Sequence, residues 1–376
     1  MAVSVIASVE ACSVVVPLAE PVSFATRRVE ARHYTLVRLR DEEGAEGIGF
    51  CYGGNFGGSL VTAAVRQLIA PIVAGRRSVE VRGLWEEVYR ATLLHGRAGV
   101  VMRALSAVDI ALWDLNARRA RLPLWEYLGA ATTDPVPAYA SGGYYRDGKN
   151  LDHLAQEMKH YLSMGFRAVK MKVGKVSVQE DADRISAVRD TVGSEVRVML
   201  DANNAWTHFG DALEALRLWE PYNPYWIEEP FSPDDIENHA RLVRATPILV
   251  ATGEIEAGRW RNQQLLQANA VHILQTDATV CGGITEYQTI AHTAASNGVT
   301  MCPHAFHHIH LHLVGSTANA GYVEYFPDDR IVNFGRLTTQ QIDVTPDGHL
   351  RLPKDPGLGF DLDPKAVESY TEDGWR

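Results

Sequence analysis

Six stretches of the chain repeat one pattern, a short hydrophobic run closed by a charged or amide-bearing tip. They read AVKMKVG (168–174), VRVMLDAN (196–203), YWIEEP (225–230), ILVATGE (248–254), HILQTDAT (272–279) and TMCPHA (300–305). Apolar runs this short, bounded by Gly, Pro and Asn, predict buried strands. Between them lie amphipathic segments such as EDADRISAVRDTVG and ITEYQTIAHTAASNG, which predict helices. The tips Lys172, Asp201, Glu228, Glu254, Asp277 and His304 stand 29, 27, 26, 23 and 27 residues apart. Each gap is the length of a strand, a helix and two short loops. With VPAYAS (136–141) before the series and VEYF (323–326) after it, eight strands are predicted. The expectation is an α/β barrel whose polar tips share one rim, the carboxyl end of the strands, where such barrels carry their chemistry.

The first 130 residues keep a different rhythm. VSVIASVEACSVVV and HYTLVRLRD alternate apolar and polar positions, as strands do, and glycine-rich turns follow at GAEGIGF and YGGNFGG. Helical stretches come next, and in the last of them Ala104, Ala107, Val108 and Ala111 form a buried stripe. Strands followed by helices without alternation predict an α+β unit. The expected organisation is therefore an α+β domain over 1–130, a barrel over 131–340 and a C-terminal segment, 341–376, that returns to the first domain.

Composition narrows the partners. Lys and Arg total 36 against 46 Asp and Glu, a formal charge of −10 with no local basic run, so no nucleic acid is expected. No run approaches the roughly 18 apolar residues of a membrane helix. The N-terminal stretch lacks a basic start and is broken by Glu10, which favours a strand pair over a secretory leader. Four scattered cysteines without a C-x-x-C pair fit a reducing, cytoplasmic setting.

A single acid at a strand end is most often a turn or cap residue. Three on consecutive strands (Asp201, Glu228, Glu254) would converge on one rim and repel one another unless a cation neutralises them. Oxygen ligands without His or Cys favour Mg²⁺ over Zn²⁺. In IEEP, strand alternation turns only one glutamate inward; Glu228 is assigned to the metal and Glu229 to a supporting position. Lys170 and Lys172 are two apart on a strand and face the same side. Two ammonium groups held together are expected to lower each other's pKa, which would make Lys172 a base. Asp277 and His304 fall on adjacent strands, where the carboxylate can fix the tautomer of the imidazole.

Taken in order, K-x-K, D-x-N, E-E-P, G-E, Q-x-D and P-H resemble the enolase superfamily, and within it the mandelate racemase subgroup with its His–Asp dyad. Q-T-D stands where Q-P-D or Q-I-D is usual. The resemblance spans nearly the whole chain and implies an N-terminal capping domain, a modified (β/α)7β TIM-type barrel and a C-terminal return. It implies Lys172 with Lys170 as the base for one face of an α-carbon, and His304 with Asp277 for the other. Asp201, Glu228 and Glu254 would bind one Mg²⁺, Asn203 would contact substrate, and Glu324, 20 residues past His304, would bond near its carboxylate. This superfamily works with Lys or His bases beside Mg²⁺. A symmetric homo-oligomer, often an octamer, is the usual assembly.

The expected reaction is removal of the proton α to the carboxylate of a small molecule, giving a metal-stabilised enediolate. Loss of a β-hydroxyl would then turn an aldonate or aldarate into a 2-keto-3-deoxy acid. Racemisation or epimerisation, and cycloisomerisation of a sugar-acid lactone, use the same residues; a non-catalytic binding barrel is the remote alternative. The loops around PVSFATRRVEARHY and CYGGNFGGS are read as a lid, with Arg27, Arg28, His33 and Asn55 suited to a polyhydroxylated substrate. HAFHHIHLHL is read as the loop and helix after the seventh strand. His307 or His308 is placed near substrate, and His310 and His312 on the surface or in packing.

Overall fold

The structure, a computed structural model, describes residues 4–376. Three long strands, β1 (Ile6–Phe24), β2 (Arg27–Asp41) and β3 (Glu46–Gly54), form an antiparallel sheet in the order β1-β2-β3. The helix Val100–Ala120 lies across β3, with 15 of its 21 residues buried. Its close approach explains two glycines. A Cβ on Gly47 or Gly49 would stand 2.4 Å from the Ala111 carbonyl oxygen or 2.0 Å from that of Ala107. No side chain fits there.

Eight parallel strands follow: β4 (Val136–Ser141), β5 (Ala168–Lys172), β6 (Arg197–Asp201), β7 (Trp226–Glu228), β8 (Leu249–Thr252), β9 (Ile273–Leu274), β10 (Thr300–Met301) and β11 (Val323–Tyr325). Their order is β10-β9-β8-β7-β6-β5-β4-β11. Gly321, just before β11, donates to the Met301 carbonyl at 2.8 Å and draws the ring shut. This is the (β/α)7β TIM-type barrel, preceded in the chain by the antiparallel cap. Helices with side-chain caps feed the strands; Ser177 and Glu180, for example, form a reciprocal capping box at the start of Val178–Val192.

Strand alternation sets what faces the ring. Val169 and Met171 pack outward against the helices, while Ala168, Lys170 and Lys172 take the inward positions. Tyr139, Met199, Trp226 and Ile273 fill the interior below the charged tips. The registers Lys172↔Asp201 and Asp201↔Glu228 then place three of those tips side by side.

Beyond the barrel, a short strand β12 (His349–Leu350) pairs antiparallel with β4. After the helix Pro364–Tyr370 the tail runs beside β1, where Ala11 donates to the Arg376 carbonyl at 3.0 Å and Glu372 to that of Ser13 at 2.9 Å.

Candidate active site

The barrel rim carries six carboxylates, Asp201, Glu228, Glu229, Glu254, Asp277 and Glu324, against two ammonium groups and the His304 imidazole. Lys170 is fully buried and holds Glu228 and Glu324 at 2.7 Å each, with Asp201 at 3.6 Å. Lys172 bonds Asp201 directly. Asp201 also accepts from the Asn203 backbone N–H at 2.9 Å, and Glu228 from the Trp226 indole at 3.2 Å. His304 stands between two acids: its Nδ1 donates to Asp277 at 3.0 Å and its Nε2 lies 3.5 Å from Glu254. The Glu324 carboxylate accepts from the Ala305 N–H at 2.6 Å. The structure thus brings together all nine residues expected from the sequence.

The lysines depart from expectation in one respect. Burial works to lower both, but Asp201 beside Lys172, and Glu228 and Glu324 beside Lys170, outweigh it, and both ammonium groups are raised. The lysines' mutual repulsion is real but smaller than the attraction of carboxylates held on the neighbouring strands. Burial and the charges of Asp201, Glu324 and Glu254 push Glu228 up to about 8, against the pull of Lys170. Glu229 is raised further, by burial and then by Glu254, Asp201 and Glu228. Glu324 goes the other way; Lys170 and His304 overcome its burial and hold it at about 2. For His304, burial works downward, while Glu254 and the Asp277 bond raise it to about 10. It is an imidazolium at neutral pH.

This donor set fits a hard divalent cation. Acids outnumber cations on the rim, burial and then mutual repulsion raise Glu228 and Glu229, and Glu254 Oε2 and Glu229 Oε1 are buried without a partner. Among the described residues no three acidic, His or Cys side chains stand in ligating geometry as they lie, because Asp201 and Glu228 are turned to the lysines. Asp201, Glu228 and Glu254 are the oxygens available to a metal, with Glu229 behind them.

The polar tips open on a cavity of about 70 Å³, lined on the barrel side by Lys172, Glu254 and His304 and on the cap side by Phe24, Arg32 and Asn55. Thr26, at the tip of the β1–β2 hairpin, donates to the Asn203 carbonyl at 3.1 Å and holds the cap over the rim. Ligand pockets hold ~300 Å³ or more. The cavity as it stands is smaller than that. Two larger surface hollows, about 480 and 510 Å³, lie around Arg146 and contain none of the rim residues. Their main cations are already paired, Arg146 with Asp328 at 2.9 Å and Arg184 with Asp181 at 2.6 Å.

Of the lid residues read from the sequence, Arg27 and Asn55 line the cavity; Arg28 instead pairs with Glu30 and Asp147 outside it, and His33 lies against Gly58. The histidine-rich stretch is helix His307–Gly315, with all four histidines buried. Neither His307 nor His308 reaches the cavity. Burial pushes His307 down to about 3, and the two rings pack on Tyr325, Phe334 and Phe360 as neutral groups. His310, expected on the surface or in packing, accepts from the Ala278 N–H at 3.0 Å and donates to the Ala305 carbonyl at 2.8 Å. It clips together the residues that follow Asp277 and His304. Sequence reasoning misses both Arg32 and His310, the first because β2 carries several arginines, the second because four histidines in six positions give no hint of which one matters.

Residues 6–129 match the mandelate racemase/muconate lactonizing enzyme N-terminal domain, and residues 153–366 match the enolase C-terminal domain-like family. The chain belongs to the mandelate racemase/muconate lactonizing enzyme family of the enolase superfamily. It is 34% identical to the L-talarate/galactarate dehydratase of Salmonella typhimurium, over 93% of this chain and 87% of that protein. It is 33% identical to the D-galactarolactone cycloisomerase of Agrobacterium fabrum, over 93% and 94% of the two chains. The crystal structure of L-talarate dehydratase from Polaromonas sp. JS666, complexed with Mg and L-glucarate, superposes with a TM-score of 0.91 at 30% identity, covering 99% of each chain.

Proposed function

We propose that this protein dehydrates a sugar acid to a 2-keto-3-deoxy acid, beginning with Mg²⁺-dependent removal of the proton α to the carboxylate. The observation that carries this reading is the pairing of Lys172 and the His304–Asp277 dyad on one small cavity rimmed by carboxylates. Mg²⁺, held by Asp201, Glu228 and Glu254, would neutralise the charge that builds on the substrate carboxylate. Once Asp201 is engaged elsewhere, Lys172 loses the partner that keeps it protonated and becomes a competent base. Lys172 takes the α-proton on its Nζ, and the Lys170 ammonium, positioned by Glu324, supplies positive charge beside the forming enediolate. His304 enters as an imidazolium and gives its Nε2 proton to the departing β-hydroxyl. The β C–O bond breaks with its electron pair, water leaves, and the enol tautomerises to the keto acid. Asp277 holds Nδ1–H throughout and keeps Nε2 aimed at the cavity.

Likeness to the Agrobacterium cycloisomerase favours one second reading, ring isomerisation of a sugar-acid lactone by the same groups. Incubation with an aldonate and aldarate panel, followed by semicarbazide trapping, separates the two. At least one acid should give a semicarbazone. A panel that yields only epimers or lactone isomers overturns dehydration and leaves α-proton abstraction standing.

Further parts of the reading rest on the same basis. The chain divides into a capping domain (1–130), a barrel (131–340) and a C-terminal segment (341–376) that docks back on the cap. It works in the cytoplasm as a homo-oligomer. Four buried free cysteines support the compartment.

A further inference from the structure

Three cationic side chains are buried among the described residues: Lys170, Lys172 and Arg32. The lysines each face a carboxylate. Arg32, 8% exposed, does not. Its Nε donates to the Ile331 carbonyl at 3.0 Å, its Nη1 donates to the Tyr52 hydroxyl at 3.0 Å, and its Cζ lies 5.3 Å from the Tyr52 ring. Nη2 has no partner among the described residues. The groups around the guanidinium are the phenols of Tyr34, Tyr52 and Tyr144, and burial raises Tyr34 and Tyr144, so that neither supplies a negative charge. A buried cation without a counter-ion is costly even where neutral groups accept some of its hydrogen bonds. Such a group persists where a ligand brings the missing charge.

Its place says which ligand. Arg32 lines the same cavity as Lys172, Glu254 and His304, but from the cap side. Tyr144 stands within electrostatic reach of both Lys172 and Arg32, and its ring lies 4.9 Å from the Lys172 ammonium. A carboxylate whose α-carbon faces Lys172 is served by the rim. Arg32 is left over, on the cap side of the cavity. We propose that Arg32 is the counter-ion for a second anionic group at the far end of the substrate, so that the acid this protein turns over is a dicarboxylate, an aldarate. This rests on the dehydratase reading of the site and narrows its substrate class. Arg32 is a binding residue here; it takes no part in the proton transfers.

The test compares acids that differ only in the terminal group: glucarate against gluconate, and galactarate against galactonate, each with Mg²⁺. For the wild-type protein, kcat/KM should favour the diacid of at least one pair by about 10- to 100-fold, the range of a charge-assisted hydrogen-bonded pair. In Arg32→Met that preference should fall toward unity, mainly through KM, with Arg32→Lys in between. A wild-type enzyme that handles the aldonates as well as the aldarates overturns the proposal. So does an Arg32→Met protein that keeps its diacid preference. If neither pair reacts, thermal shift decides on Arg32 alone: diacids should raise the wild-type Tm and leave that of Arg32→Lys less affected, whereas equal shifts by mono- and diacids refute the assignment; the dehydratase reading itself fails only if the wider acid panel gives no semicarbazone. The wild-type measurements stand even if Arg32→Met does not fold.

Discussion

Two groups of buried carboxylates, one in the cap and one on the barrel rim, show what distinguishes a structural acid from a working one. Asp109 and Asp114 lie on the long capping helix and are buried as deeply as anything on the rim. Asp109 accepts from the backbone N–H and hydroxyl of Thr285 at 2.9 and 2.6 Å, at the start of helix Gly283–Ser296. Asp114 accepts from the backbone N–H groups of Ile48 at 2.8 Å and Leu358 at 2.7 Å and from Arg118 at 2.8 Å. Each ties one part of the molecule to another, and each acid has its own donors. On the rim, acids crowd acids, and Glu229 Oε1 and Glu254 Oε2 remain without partners. Burial alone therefore marks neither kind. Function lies where like charges are forced together and left unsatisfied.

Removing one rim charge is the most severe way to probe this contrast. Glu228→Gln should lower turnover on the order of 10³-fold and abolish tight Mg²⁺ binding by calorimetry. Because Asp201, Glu324 and Glu254 all repel Glu228, the metal-free variant should melt at the wild-type temperature or above. Activity that survives exhaustive EDTA treatment, in the wild type, would remove the basis for a metal on this rim. Lys172→Ala should cost roughly 10²- to 10⁴-fold in dehydration. Solvent deuterium exchange at the α-carbon should fall in parallel, because His304 enters as an imidazolium, and full activity would show that Lys172 is not the base.

The cap acids should behave in the opposite manner. Asp109→Ala should lose about 1–3 kcal/mol in urea denaturation, since it leaves donors of Thr285 unsatisfied, while kcat/KM of the folded protein holds. A matching loss of kcat/KM would collapse the distinction. The same variant carries a pH signature. Burial raises folded Asp109 from 3.8 to about 7, against its hydrogen bonds. The folded state therefore keeps a proton that the unfolded chain releases, and stability falls as pH rises from about 4 to 7. The stability gap between wild type and Asp109→Ala should narrow over that window. A widening gap would mean that the donors outweigh burial.

Much of the rim is legible in the amino-acid sequence because strand length and helix length fix where each tip falls. Lys172, Asp201 and Glu228 are the last residues of their strands; Glu254, Asp277 and His304 sit two or three residues beyond the ends of theirs. Two things cannot be read in this way. The protonation of the lysines depends on which neighbour wins, and K-x-K spacing says only that the two are close to each other, not that Asp201 and Glu228 are closer in effect. Arg32 requires knowing which face of a long cap strand looks into a cavity made by a different domain. Among Arg27, Arg28, Arg32, Arg38 and Arg40, alternation alone cannot choose.

The turn after His304 matters to anyone who tries to make this protein more heat-resistant. Ala305 and Phe306 have φ of 50° and 25°, the left-handed region that ordinary residues resist at roughly 1–3 kcal/mol apiece. The distortion is held by the Glu324 carboxylate on one side of Ala305 and by His310 on the other. A laboratory selection on melting temperature will favour glycine at 305, which adopts that backbone freely. The winning clones would carry a hinge directly beside His304. Breeding for hardiness at this one position trades away aim.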